Sequence, residues 1–263
     1  MSAWFERLSP VVGAVVIVGG FVLATMLFAY LVGRLSRREL LREHNDLAGF
    51  IFAVVGVIYA VILGFVAIGV WERFAAAETR TYDEAAQLVT LYRDAGDWDG
   101  GRALRRDLRA YTRDVITRSW PDMESGIDSH VTDVAAERLA HDIIVLEPRR
   151  PGQAEVHSQM LVAVAQTLGE RDQRLGEDAS GLNAIMWMVV FVGGFVTIAF
   201  SLLFGFKATS LQFLMTGALA LLIGLIIFLT MSLDYPYRGS IRVTPDAFAR
   251  SLATFDQIDA TNR

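Results

Sequence analysis

Apolar residues in this chain are gathered into uninterrupted blocks instead of recurring at the period of a helix or strand that packs on one face. Four blocks, Pro10 to Val32, Leu47 to Val70, Ala184 to Phe206 and Leu211 to Leu233, contain no Asp, Glu, Lys or Arg. Each has the roughly 20 residues that a helix needs to cross a hydrocarbon core of about 30 Å. The pattern predicts an all-α integral membrane protein with four transmembrane helices, at about 10–32, 47–70, 184–206 and 211–233. They form two hairpins, residues 1–71 and 184–233, separated by a soluble helical insertion, 72–183, and followed by a C-terminal tail, 234–263. The first block is long for a signal peptide, follows no basic segment and precedes arginines instead of a cleavage site, so it is expected to stay in the protein.

Polar patterning organises the insertion. No Pro or Gly interrupts Trp71 to Ala95 and helix formers dominate there, so the second span is expected to continue into water, Leu47 to Asp94 forming one rod of about 70 Å. Gly96, Gly100 and Gly101 break it. A second helix carries Leu104, Leu108, Tyr111 and Val115 on one face and is expected to close at Trp120-Pro121. A third, about Thr132 to Leu146, aligns Ala135, Leu139 and Ile143, and a fourth from about Ala154 aligns Val156, Met160, Ala163 and Thr167. Amphipathic helices of this kind make a bundle. In the tail, Thr244-Pro245-Asp246 opens a short helix whose Phe248, Leu252 and Phe255 share a face, placed either on the membrane surface or on the bundle.

Charge narrows the function. Glu72 to Leu182 holds 21 acidic and 14 basic residues, a net charge of −7, which is the wrong sign for nucleic acid. The absence of cysteine excludes disulfides, thiolate metal sites and a Cys nucleophile. His130, His141 and His157 are dispersed, without the spacing of a metal site. There is no phosphate-cradling loop, nucleophile elbow, HExxH motif or acidic pair within a span, so neither an enzyme, a metal, a cofactor nor a coupled pump is expected. Arg34, Arg37, Arg38 and Arg42 lie between the first two spans and Lys207 between the last two, whereas Glu6 cancels Arg7 before the first. The positive-inside rule then puts both short loops in the cytoplasm and the insertion outside the cell membrane.

The second span carries the most structured signal. Gly49, Ala53, Gly56, Ala60, Gly64 and Ala67 recur at spacings of three and four, and at 100° per residue they fall within roughly 80° of arc. Such a stripe either lets another helix approach closely or lines a conduit. Trp71, Phe74 and Glu78 continue the same face; Trp71 is an interfacial anchor or, with Phe74, part of a hydrophobic gate. Before the span, Asn45 or Asp46 caps the helix, or His44, Asn45 and Asp46 with Arg37 and Arg38 form an ion entrance.

His44-Asn45-Asp46, Gly49-Phe50, Gly56, Tyr59-Ala60, Leu63-Gly64, Tyr111, Val115, Trp120-Pro121, Asp234-Tyr235-Pro236, Gly239 and Val243-Thr244-Pro245 together resemble the bestrophin-like domain family over nearly the whole chain. The resemblance implies similarity to bestrophins, pentameric anion channels whose pore follows the second helix past a hydrophobic neck. Two features depart from that plan: bestrophins keep the insertion in the cytoplasm, and an acidic insertion would gather cations. The resulting reading is a homo-oligomer in the lipid bilayer that passes small ions along its second helices. The alternative is a non-conducting scaffold or sensor whose acidic domain binds a partner or divalent cation.

Overall fold

The computed structural model of the chain describes residues 9–35, 45–179, 181–202 and 209–261. Its elements are α1 (Pro10–Leu35), α2 (Asn45–Asp94), α3 (Gly101–Asp114), α4 (Trp120–Glu124), α5 (Asp133–Ile144), α6 (Gln153–Ala179), α7 (Ala184–Ser201), α8 (Thr209–Leu233) and α9 (Asp246–Thr261). Two compact units divide them: Met1–Glu72 with Leu182–Asp234, and Arg73–Gly181 with Tyr235–Arg263. α2 is one helix of 50 residues that starts in the first unit and ends in the second, as the unbroken run of helix formers requires.

Among the described residues four helices are long and apolar enough to cross a membrane, and the apolar stretch of each lies in the first unit. Without water, no hydrophobic force drives such helices together, and they pack through small residues and internal hydrogen bonds. α1 meets α8 in this way. A Cβ at Gly224 would lie 3.4 Å from the side chains of Phe21 and Val18, and one at Gly217 would lie 3.3 Å from Met26. Buried threonines satisfy their hydroxyls on their own helices, Thr197 donating to the Gly193 carbonyl at 2.8 Å and Thr230 to the Ile226 carbonyl at 2.9 Å. Asn183 accepts from the Met186 N–H and caps α7, while Asp234 accepts the Leu182 N–H at 2.6 Å.

The second unit is a helical bundle. Leu104, Leu108 and Tyr111 of α3, Val115 directly after it, and Met160, Ala163 and Thr167 of α6 are buried along the faces their spacing defines. On α5 the buried face is Ala136, Leu139 and Ile143, with Ala135 at its edge. The C-terminal α9 packs into this bundle, with Phe248 and Phe255 fully buried and Tyr92 stacked on Phe255 at 4.0 Å. Pro121 does not end its helix. The turn before it widens to π geometry over Val115–Ser119, and the chain then winds on to Glu124. A wider turn removes the clash between the proline ring and the carbonyl four residues back.

An ion pair lies at the centre of this bundle. Arg174 and Glu84 are both fully buried, and the guanidinium donates to both carboxylate oxygens at 2.8 and 3.2 Å. Tyr111 donates a third hydrogen bond to Glu84 at 3.0 Å. Arg174 is held between the rings of Trp120 and Phe248, at 5.6 and 5.7 Å from their centroids. Burial alone would lower the arginine's pKa, but the carboxylate beside it outweighs that and raises it, so Arg174 keeps its charge. Burial raises the Tyr111 hydroxyl well above its ordinary range and Tyr237 to about 12. Tyr237 donates to the Ala77 carbonyl at 3.2 Å and meets Trp120 edge-on.

Arg174→Ala strands a buried carboxylate, and its expected cost is about 3–5 kcal/mol of stability. Tyr111→Phe removes one hydrogen bond to a charged group, at about 1.5–3 kcal/mol. Denaturant unfolding of the purified chain, followed by circular dichroism, checks both; equal losses in the two variants would contradict the central place of the ion pair.

Candidate functional site

The face of α2 that the chain uses for its own packing is not the small-residue stripe. Within the first unit, Tyr59 and Leu63 are buried, with Val66 at the edge of the same cluster, against Val190 and Ile198 of α7 and Ile223 and Ile227 of α8. Tyr59 lies on paired glycines. A Cβ at Gly193 would stand 2.5 Å from the Tyr59 ring, and one at Gly194 would stand 3.0 Å from its hydroxyl. The hydroxyl donates to the Val190 carbonyl at 3.0 Å, so this tyrosine is both a steric key and a buried polar anchor.

A Cβ at Gly56 or Gly64 would meet nothing within 4 Å. Ala53 and Ala60 are exposed, and Gly49 and Ala67 are partly exposed. Large apolar side chains, among them Val57, Val61 and Phe65, occupy the next arc of the helix and are exposed as well. Going round α2 at 100° per residue, the order is the packed Tyr59 arc, the small-residue arc and the bulky arc. Among the described residues, none fills the strip at Gly56 or Gly64, so the stripe is open there.

The other sequence candidates fall in different surroundings. Trp71 is 59% exposed, whereas Phe74 is half-buried against the bundle core of the second unit. The helix opens at Asn45, but the side chains of Asn45 and Asp46, and the whole of His44, Arg37 and Arg38, lie outside the described residues. Among the described residues no three His, Asp or Glu side chains converge as metal ligands would.

Several residues that carry the family resemblance prove to be anchors. Tyr59 fixes α2 to α7, Tyr111 and Trp120 enclose the buried ion pair, and Asp234 holds the start of the segment leading into α7. Pro236 accepts the Val243 N–H at 2.8 Å, closing a turn in which Gly239 takes φ 77°, a conformation that favours glycine. The sequence does not single out Arg174 and Glu84, since an arginine on an amphipathic helix ordinarily reads as surface. Gly193-Gly194 inside a span was the available signal for the close approach of Tyr59.

The bestrophin-like domain matches residues 19–248, and the chain belongs to the bestrophin-like domain family of membrane proteins. A crystal structure of a point-mutated bacterial bestrophin homologue from Klebsiella pneumoniae aligns with a TM-score of 0.66 at 12% identity, over 94% of this chain and 98% of that one. Two crystal structures of a membrane protein, each with a single substitution, are also similar. One has a TM-score of 0.68 at 13% identity over 94% and 98% of the two chains, and the other 0.62 at 13% over 92% and 98%. At these identities the likeness is one of fold. Among curated proteins no sequence matches the chain.

The two kinds of glycine in the spans make opposite forecasts. Gly193→Ala drives a methyl into the Tyr59 ring, and overpacking of this kind costs about 1–3 kcal/mol. Gly56→Ala is expected to leave the thermal unfolding of the chain in detergent nearly unchanged. A melting temperature that fell more for Gly56→Ala would contradict the assignment of α2's faces.

Proposed function

We propose that the chain assembles as a homo-oligomer in the cell membrane with α2 of each copy facing a common axis, and that small ions pass along this axis. The observation that carries the reading is the open stripe of α2: the chain packs its own spans through the adjacent Tyr59 arc and leaves Gly56 and Gly64 with nothing against them. Small residues in a row leave room for water and ions when several copies surround an axis. Bestrophins are pentameric channels, and membership in the wider family supports the same plan, with five copies as the expected number. The net charge of −7 on residues 72–182 favours cations at the mouth. The arginines of the first loop support an insertion outside the cell.

Trp71 is the gate residue best placed for a test, since it is exposed whereas Phe74 also contributes to the bundle core. Potassium, sodium and chloride gradients across vesicles holding the purified chain are expected to discharge faster than across empty vesicles. Gly56→Leu blocks this flux without loss of the oligomer, and Trp71→Ala raises the resting conductance. A cysteine placed at Asp128 reacts with an impermeant probe on intact cells. Absence of flux for every ion would sink the channel and favour the scaffold or sensor, and labelling only after permeabilisation would reverse the orientation.

A further inference from the structure

Between α2 and α7, inside the first unit, a lateral groove of about 400 Å³ is walled by Val55, Ile58 and Ile62 on one side and by Met188, Val192 and Val196 on the other. Tyr59, Gly193 and Thr197 also line it. We infer that this groove is a binding site for a lipid acyl chain.

The chemistry of the lining restricts what can fill it. Its two hydroxyl groups are already committed, Tyr59 to the Val190 carbonyl and Thr197 to the Gly193 carbonyl. Both residues are buried, at 6% and 2% exposure, so the surface they offer is ring and methyl. Water needs two to four polar partners to settle in a cavity, and an apolar cavity of roughly 150 Å³ already stays dry and takes up hydrocarbon. An empty groove forfeits the dispersion contacts of every atom along its walls. Hydrocarbon satisfies both constraints, and a flexible chain fits an elongated groove between two helices.

The shape has a local cause. Because Gly193 has no side chain, the Tyr59 ring lies down against α7, and the helices meet there while β-branched Val and Ile stand up on either side. Ile58, Met188 and Val192 are 54–57% exposed, so the groove is continuous with the belt that these spans present to the bilayer. The source of the hydrocarbon follows from position on the helix. The lining residues of α2 centre about 150° away from the small-residue stripe at 100° per residue. In the proposed assembly, on which this one step rests, the stripe faces the common axis, so the groove on the far side of α2 opens toward lipid.

Reconstitution with a phospholipid that bears a photoreactive diazirine in its tail tests the site. After irradiation and peptide mapping, adducts on Val55, Ile58, Ile62, Met188 and Val192 are expected to exceed several-fold those on Leu23 and Leu27 of α1 or Leu214 and Leu222 of α8, which are also exposed. Val196→Phe, or Val55→Phe should that variant not fold, fills the groove and removes the excess. Adducts spread evenly over all exposed span residues, or groove adducts undiminished in the phenylalanine variant, would overturn the inference. Ion flux measured on the same vesicles separates the two claims: groove adducts without flux refute conduction alone, and flux with evenly spread adducts refutes the acyl-chain site alone.

Discussion

A polar group inside a bilayer has no water to return to, and helices there gain nothing from hiding apolar surface from one another. Packing in the first unit therefore depends on where backbones can come close and on where each hydroxyl finds a carbonyl. Tyr59 meets both demands at once: its ring rests on Gly193 and Gly194, and its hydroxyl reaches the Val190 carbonyl. Gly217 and Gly224 do the corresponding work where α8 meets α1. With these contacts made by one arc of α2, the neighbouring arc of small residues stays open at Gly56 and Gly64 among the described residues, and the proposed function grows from that division of the helix surface.

The second unit faces the opposite problem, that of keeping a charge inside a core. Removing Arg174 and Glu84 from water is expensive, and the cost is offset by two-point geometry, a third hydrogen bond from Tyr111 and aromatic rings on both sides of the guanidinium. The partners come from α2, α3, α4, α6 and α9, so one pair specifies how five elements meet. The C-terminal helix is drawn into this arrangement through Phe248 and is fastened further along by Arg109, which pairs with Asp256 and Asp259 at 2.6 and 3.0 Å.

Length and charge made the four spans legible, because a run of apolar residues without a single charge has few other uses. The continuation of α2 to Asp94 follows from a run of helix formers without Pro or Gly, and the buried faces of α3 and α6 follow from spacing. Pro121 misled, since the rule that proline ends a helix ignores the wider turn that can admit it. The buried ion pair could not be read, because nothing local distinguishes Arg174 from the arginines that stay in water. For the candidate site, periodicity gave the stripe its direction but not its neighbours. Whether Gly56 packs a helix within the chain or faces away from it is a question of tertiary contact, and Tyr59 with Gly193 decides it.

The central claim is that the small-residue arc of α2 borders a water-filled axis, and the native chain has no cysteine to confuse a direct test. Single cysteines are placed along α2 in the reconstituted protein and treated with a charged thiol reagent while flux is followed. Reaction and block are expected at Ala53, Gly56, Ala60, Gly64 and Ala67 and not at Val57, Val61 or Phe65. Block at the bulky positions, or no reaction anywhere along the stripe, would contradict the account.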